Sequence, residues 1–420
     1  MSQDSSIRRT ENVGTGFIVV ATAFSALAVL VFHAIASRTL GPDGFAPIAV
    51  LWTLMFLLFT VLMLPAEQHL TRALVVTRDQ AQIRGVYRAM AGSFALASVL
   101  GIGFVALTLT RFFEGNGWYV AITAVIMLSR STLATARGQM AGHRRFGGYA
   151  STIAYESGAM IIGGLMLAIL DAPAIGFALV MALAPFAALL ARPFSNIEGT
   201  GQGPVVRAQP ASFLVWLIVA TASSQLIIAG GPIAVSFIGG TAAAVSIFFT
   251  SFALLRGPVT SAYNLVARVL PDFTRLAQSD NPRRLWVWAP RITVGGVVLA
   301  VLGAAGAAIA LQTIIRTIYG EAFVPPVLAA ALGGAGVGLG IGALFVTQVY
   351  SAAAKGAPLA LGWIIALGVA IAVLVVSSLD PIDRVALAFV AGEGSGLLVL
   401  GVIFPALGIA TRRGTSPRVE

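Results

Sequence analysis

The sequence contains no cysteine, a single lysine and few charged residues of any kind. Without cysteine it has no disulfide framework, no thiol nucleophile and no cysteine-based metal site. Charged residues make up only 10% of the 420 residues, whereas soluble domains carry about 25% because a folded surface must be hydrated. The composition therefore excludes a water-exposed globular protein of this size.

Motifs of several enzyme classes are also missing. There is no GxxxxGK[ST] loop for nucleotide hydrolysis and no HExxH helix for hydrolysis within a membrane. The three histidines, His33, His69 and His143, are scattered and form no ligand cluster. We expect no enzyme activity, no cofactor and no metal.

Long apolar runs fill the rest of the chain, which is 58% hydrophobic with a mean hydropathy of +0.93. About 20 apolar residues cross the hydrocarbon core as a helix. Twelve such runs, separated by turns rich in Gly, Pro, Asp and Asn, predict transmembrane helices. Their approximate ranges are 14–37, 45–67, 89–110, 118–136, 149–170, 174–191, 211–230, 241–262, 290–312, 325–350, 357–377 and 385–410. The first run is too long for a signal peptide core, so we expect it to be retained.

Basic residues are distributed unequally between alternate loops. With the N-terminus inside, the cytoplasmic segments hold 20 Lys and Arg residues, and the outer segments hold four. Because such a bias marks the cytoplasmic side, both termini are predicted to be cytoplasmic. The net charge of +10 is then a consequence of topology, and it gives no support to nucleic-acid binding.

A glycine-rich run at 199–204 divides the predicted spans into two groups of six, 1–200 and 201–420. Arg111 and Gly115 follow span three with the same spacing as Arg316 and Gly320 follow span nine. These matches indicate a duplicated six-helix unit in parallel orientation, with the substrate path between the halves. The predicted fold is an all-α polytopic membrane protein of about 12 transmembrane helices, a 6+6 parallel pseudo-repeat around a central cavity.

Five ionisable residues fall within or at the ends of predicted spans, where charge is costly and indicates function: Glu67, Arg130, Glu156, Arg256 and Glu393. Arg130 and Glu156 are each about 9–10 Å inside the cytoplasmic end of adjacent spans, so we expect them to pair. That pair is either a structural salt bridge or a charged patch facing a water-filled cavity.

The other three stand alone. Arg256 precedes Gly257-Pro258, which loosens the helix, and we favour a cavity-facing side chain over one that snorkels to the interface. Glu67 follows Pro65 and is predicted at the inner interface. Glu393 lies in a glycine-rich stretch, either as a buried polar residue that binds helices together or as a protonatable coupling site.

Three segments together resemble the polysaccharide-unit flippases of the Wzx type, which belong to the multidrug/oligosaccharidyl-lipid/polysaccharide exporter superfamily. Residues 37–45, SRTLGPDGF, resemble the family's R-x-LGP-x-x-[FY] junction after span one. Residues 255–258 and 269–276, LRGP and VLPDFTRL, resemble its R-x-P … LxPxxSRL stretch, and YGEAF at 319–323 resembles its [FY]G-x-x-F turn. Pro47 stands where the family often has a plain helix former.

The resemblance implies a transporter that flips a polyprenyl-pyrophosphate-linked oligosaccharide to the outer leaflet by alternating access. Arg256, Arg130, Glu156 and Glu67 are then the substrate-binding candidates, because Arg forks match phosphate oxygens, and Glu393 is a candidate for ion coupling. The alternative is a cation-coupled small-molecule or multidrug exporter of the same superfamily, which typically uses intramembrane acids; span one has none. A non-transporting membrane scaffold is a third class.

The same resemblance places the protein in its cellular setting. It implies a lipid-linked oligosaccharide as substrate, with a polysaccharide polymerase and glycosyltransferases as partners. We expect a monomer in the bacterial plasma (inner) membrane.

Overall fold

The computed structural model describes residues 2–76, 79–194, 211–278 and 283–408. Over these ranges the chain forms helices and no strands. It divides into two compact units, Met1–Arg207 and Ala208–Glu420. The run 199–204, where a linker is predicted, lies outside the described residues.

The first unit is built from long helices joined by short turns. Its elements are α1 (Ser2–Leu58), a π-helical segment (Phe59–Met63), α2 (Leu64–Val76), α3 (Gln80–Leu107), α4 (Leu109–Phe112), α5 (Trp118–Gly142), α6 (Phe146–Ile169), α7 (Ala174–Leu183) and a 3-10 segment (Ala184–Ala191). Within this unit α1 packs along α6, and α5 packs against both α2 and α3.

The second unit is also built from helices. Its elements are α8 (Ala211–Ala229), α9 (Gly231–Phe237), α10 (Ala242–Leu255), α11 (Gly257–Gln278), α12 (Arg283–Trp286), α13 (Trp288–Ile318), α14 (Val327–Ala352), α15 (Gly356–Val376), α16 (Pro381–Leu398), a π-helical segment (Val399–Ile403) and α17 (Phe404–Ala406). Here α14 packs between α13 and α16, and α15 packs against α8 and α16.

The helices account for the predicted twelve spans. Among the described residues, ten helical stretches are long and apolar enough to cross a membrane, and α8 with α9 forms an eleventh, bent by 66°. The first stretch, Val20–Val75, has 56 residues and would be about 84 Å long at 1.5 Å per residue. That length crosses a hydrocarbon core of about 30 Å twice, which confirms the all-α polytopic fold.

A break at Gly41 separates the first two spans, where the sequence predicts a turn. Gly41 has φ 69° and ψ 175°, a conformation that residues with a Cβ adopt only with strain. Pro42 follows and has no backbone N–H to continue the helix. The two residues together end span one.

The helix of span two continues beyond residue 67, where the sequence predicts its end. Pro65 cannot donate to the carbonyl four residues earlier, and the turn widens into the π-helical segment Phe59–Met63 instead of ending. The Ser93 hydroxyl donates to the Leu62 carbonyl at 2.8 Å, which satisfies one backbone group in this segment. The helix then continues to Val76.

Two glycines that the predicted duplication matches both adopt a positive φ. Gly115 and Gly320 have φ of 75° and 107°, in the region that favours glycine. Beside Gly320, Arg316 hydrogen-bonds the exposed Glu321 carboxylate and holds its pKa below the usual value.

The tightest helix packing in the second unit is between α13 and α14. Gly303 faces Gly334, Gly296 faces Gly342, and a Cβ built on Gly338 would overlap the backbone of Leu299 and Ala300. Small residues of this kind let helix backbones approach closely in a membrane.

We expect Gly338→Ala to destabilise the protein by about 1–3 kcal/mol, because the added methyl forces α14 away from α13. Gly306→Ala on α13 is the matched control, since a Cβ there meets no atom within 4 Å and the gain in helix propensity is the same at both sites. The measurement is the midpoint of thermal unfolding in detergent. Equal midpoints for the two variants would contradict close α13–α14 packing.

Candidate functional site

A buried cluster of charged side chains connects α5 and α6 in the first unit. Arg130 donates from Nη1 to Glu156 Oε1 at 2.5 Å, so the predicted pair forms. Only 10% of the Arg130 side chain and 8% of the Glu156 side chain are exposed. The pair satisfies the requirement that buried charges be matched.

A second arginine, Arg137, binds the other oxygen of the same carboxylate. Its Nη2 donates to Glu156 Oε2 at 2.9 Å, and its Nε donates to the Thr152 hydroxyl at 3.4 Å. The sequence placed Arg137 in a cytoplasmic loop after span four, but α5 extends to Gly142 and includes it. Two guanidinium groups therefore share one carboxylate, and the trio carries one positive charge in excess.

Tyr149 extends this cluster to α2. The Arg137 guanidinium carbon lies 6.0 Å from the centroid of the Tyr149 ring, within the range of a cation–π contact. The Tyr149 hydroxyl donates to Glu67 Oε1 at 3.4 Å. Three of the four predicted substrate-binding residues, Arg130, Glu156 and Glu67, thus belong to one network.

Glu67, which the sequence predicts at the inner membrane interface, is enclosed by protein. Because α2 continues past it to Val76, Glu67 is only 5% exposed. Close contact of α2 with α5 at Gly138 encloses it, since a Cβ at Gly138 would lie 3.1 Å from the Glu67 carbonyl oxygen.

Arg256 lies in the second unit at a junction between helix breaks. It follows the last residue of α10 and precedes α11. Its Nη2 donates to the Ala229 carbonyl at 3.4 Å, where α8 ends before the 66° bend. The last carbonyls of a helix have no partner within it and carry partial negative charge, so this contact places a favourable backbone dipole against the guanidinium.

Glu393 is fully buried in α16. Neither carboxylate oxygen forms a hydrogen bond with any described residue, and a Cβ on Gly340 of α14 would lie 3.2 Å from Oε2. If Glu393 bound two helices together by hydrogen bonds, its carboxyl would need a partner on a neighbouring helix. The described part of the chain supplies none. Its carboxyl sits against a glycine that leaves room for it.

Arg137 and Tyr149 are the members of the site that sequence reasoning missed. The signal was present: Arg130 and Arg137 are seven residues apart, as are Tyr149 and Glu156. Two helical turns place such residues on one face. Among the described residues no group of His, Asp and Glu could hold a metal ion.

Solved membrane transporters share this architecture. An inward-facing multidrug resistance MATE family transporter of the MOP superfamily matches with a TM-score of 0.64 and 12% identity, covering 94% of this chain and 98% of that one. Lipid II flippase MurJ in an inward closed conformation matches with a TM-score of 0.60 and 15% identity, covering 93% and 87%. The chain has the MATE and MurJ fold.

That fold is the one implied by the resemblance to the exporter superfamily. An outward-facing MATE transporter of the MOP superfamily also matches, with a TM-score of 0.55, 14% identity and 95% of each chain covered. A scan of protein-family models gives no match, and neither does a comparison with curated proteins. At these identities the MATE and MurJ likeness establishes the fold, and the chemistry has to be argued from the site.

Proposed function

We propose that this protein is a transporter that flips a polyprenyl-pyrophosphate-linked oligosaccharide from the cytoplasmic to the outer leaflet of the bacterial plasma membrane, by alternating access and with both termini cytoplasmic. The observation that carries the proposal is the excess positive charge of Arg130 and Arg137 around the single carboxylate of Glu156. An anionic headgroup is the ligand that such a cluster favours, because guanidinium forks bind phosphate oxygens bidentately.

The fold supports the proposed flippase activity, as does the positive charge of the cluster. MurJ, one of the proteins that share the fold, is named as a lipid II flippase. Its name supports a lipid-linked substrate, and the Wzx-type motifs favour an oligosaccharide for surface polysaccharide assembly. Polymerase and glycosyltransferase partners follow from the same proposal.

Arg256 is the second proposed contact for the pyrophosphate. A guanidinium presents its N–H donors as a planar fork, and Nη2 binds the Ala229 carbonyl at 3.4 Å. Its position beside the Gly257-Pro258 break allows the side chain to exchange this carbonyl for a phosphate oxygen at little cost to the helix.

We expect Arg256→Ala to lower the rate of flipping about tenfold, because a hydrogen bond to a charged group is worth about 1.5–3 kcal/mol. The assay uses proteoliposomes and a fluorescent polyprenyl-pyrophosphate oligosaccharide, whose arrival in the opposite leaflet is followed with a membrane-impermeant quencher. Arg256→Lys keeps the charge without the fork and should be intermediate.

Arg384→Ala is the matched control for this experiment, because Arg384 also donates to a backbone carbonyl, that of Leu379 at 3.2 Å. We expect it to flip at the wild-type rate. Unchanged flipping by Arg256→Ala would remove Arg256 from the mechanism, and absence of flipping by the wild-type protein would overturn the proposed function.

The cation-coupled exporter is a second candidate, which Glu393 favours. A fully buried carboxyl with no hydrogen-bond partner among the described residues is the kind of group that binds and releases a cation during transport. Ion coupling at Glu393 is also compatible with a flippase. Experiments on Glu393 therefore test which ion drives transport, whereas the identity of the transported substrate distinguishes the flippase from the exporter.

A further inference from the structure

The surroundings of Glu67 do not match those of an ionised carboxylate. Glu67 is 5% exposed, its Oε1 accepts one long hydrogen bond of 3.4 Å from Tyr149, and its Oε2 has no partner among the described residues. A buried carboxylate normally accepts several hydrogen bonds or pairs with a cation, because losing hydration costs several kcal/mol. A neutral carboxyl is the form that this site accommodates.

Charged and titratable side chains lie on the helices around Glu67. On its own helix, His69 and Arg72 are exposed, and on α3, Arg84 and Arg88 are exposed while Tyr87 is bound to Gln139. Arg137 from α5 lies over the Tyr149 ring, and the Tyr149 hydroxyl donates to Glu67. Arg137, however, is committed to Glu156 at 2.9 Å.

The protonation state of Glu67 therefore sets the charge of the whole network. Arg130, Arg137 and Glu156 together carry one positive charge in excess, and Tyr149 connects them to Glu67. A neutral Glu67 leaves that excess available to an anion. An ionised Glu67 cancels it.

We propose that Glu67 is a proton-binding site that controls the affinity of the Arg130–Glu156–Arg137 cluster for a phosphate or pyrophosphate group. The step is the transfer of one proton between the Glu67 carboxyl and water: one O–H bond forms or breaks, and no other bond changes. A proton and an anion then bind together, and loss of the proton releases the anion. The proton site follows from the geometry alone, whereas its effect on an anion rests on the proposed function.

The proton site is tested by infrared spectroscopy of the full chain in phosphatidylcholine–phosphatidylglycerol vesicles as the pH is raised. The background is Glu393→Gln, so that the second buried carboxyl gives no signal. We expect a protonated-carboxyl absorption that disappears with rising pH and that is missing when Glu67→Gln is added. If Glu67→Gln leaves this absorption unchanged, the proposal is overturned.

Two further variants keep the test decisive if Glu67→Gln does not fold. Tyr149→Phe removes the hydroxyl that donates to Glu67 and should shift the carboxyl absorption; an unshifted band overturns the proposal. Glu114→Gln, an exposed acid at the turn after α4, is the control and should change nothing.

The effect on anions is tested with farnesyl pyrophosphate as the probe. We expect the wild-type affinity to fall about tenfold as Glu67 ionises, which is the effect of one unit charge at about 10 Å with an effective dielectric constant of about 20. Glu67→Gln should bind with the wild-type affinity of low pH at every pH, and Glu67→Asp should restore the pH dependence.

The two proposals fail in different ways. Wild-type protein that does not flip lipid-linked oligosaccharide contradicts the proposed function, while the infrared titration still decides the proton site. An affinity of Glu67→Gln that depends on pH as the wild type does contradicts control by Glu67 alone.

Discussion

Replacing Glu156 by glutamine should lower the free energy of unfolding by about 3–5 kcal/mol, as breaking a buried ion pair does when its partner stays behind. Here two partners stay behind. Arg130 and Arg137 lose their shared carboxylate, at 2.5 and 2.9 Å, while both remain largely buried. The neutral amide of glutamine keeps one acceptor oxygen instead of two and cancels neither charge.

The measurement is the midpoint of thermal unfolding in detergent, together with the yield of monodisperse protein. Glu321→Gln is the matched control, because it breaks the ion pair of Glu321 with Arg316 on the exposed surface, where such pairs contribute little. A midpoint of Glu156→Gln close to that of Glu321→Gln would mean that water reaches the cluster and replaces the carboxylate.

The second large effect is expected at Glu393, and in the opposite direction. Glu393→Met removes two buried oxygens that no described residue satisfies and keeps a side chain of similar length, so we expect stability to rise by about 1–3 kcal/mol. We expect the same substitution to abolish the dependence of transport on a proton or cation gradient. Gain of stability with loss of activity is the usual signature of a functional buried charge.

Stability and ion dependence are measured on the same proteoliposome preparations, with Ser395→Ala as the control. Ser395 lies two residues from Glu393, and its hydroxyl already donates to the Gly392 carbonyl at 3.0 Å. Its removal should change neither quantity greatly. Transport by Glu393→Met that still follows the ion gradient would exclude Glu393 from coupling and leave the cation-coupled exporter without its supporting observation.

Most of the fold was accessible from the sequence because the bilayer imposes simple local rules. A span is a run of apolar residues of fixed length, so ten helices and the bent pair α8–α9 appear where twelve spans were predicted. Gly41, Gly115 and Gly320 mark breaks that only glycine accommodates easily. These features depend on neighbours in the chain and on the solvent.

The predicted helix ends were less accurate, because they also depend on contacts with other helices. Pro65 normally ends a helix, but Ser93 on α3 compensates a backbone carbonyl of the widened turn, and α2 continues. A partner on another helix is not visible in a sequence window around Pro65. The predicted helix end left Glu67 at the edge of a span, whereas it lies within α2.

The charged site was also predicted only in part. The sequence identified Arg130 and Glu156 as a pair, because equal depth on adjacent antiparallel helices suffices to bring them together. It did not identify the second arginine, since Arg137 is close to the cytoplasmic end of α5 and resembles an ordinary topology-determining residue. Only the shared carboxylate distinguishes it.

The sequence by itself determined that this protein spans a membrane, about how many times, and which few charges are costly there. Hydrophobic length and the absence of charge fix those properties, and they need no tertiary contact. Tertiary structure alone decided how the charges are balanced. Glu156 lies between two arginines, and Arg256 donates to the Ala229 carbonyl. One carboxyl oxygen of Glu67 and both of Glu393 have no hydrogen-bond partner among the described residues. The physical reason is that charge balance depends on distances of a few ångströms between helices far apart in the chain, and in a low-dielectric interior those distances determine which groups are stable as ions.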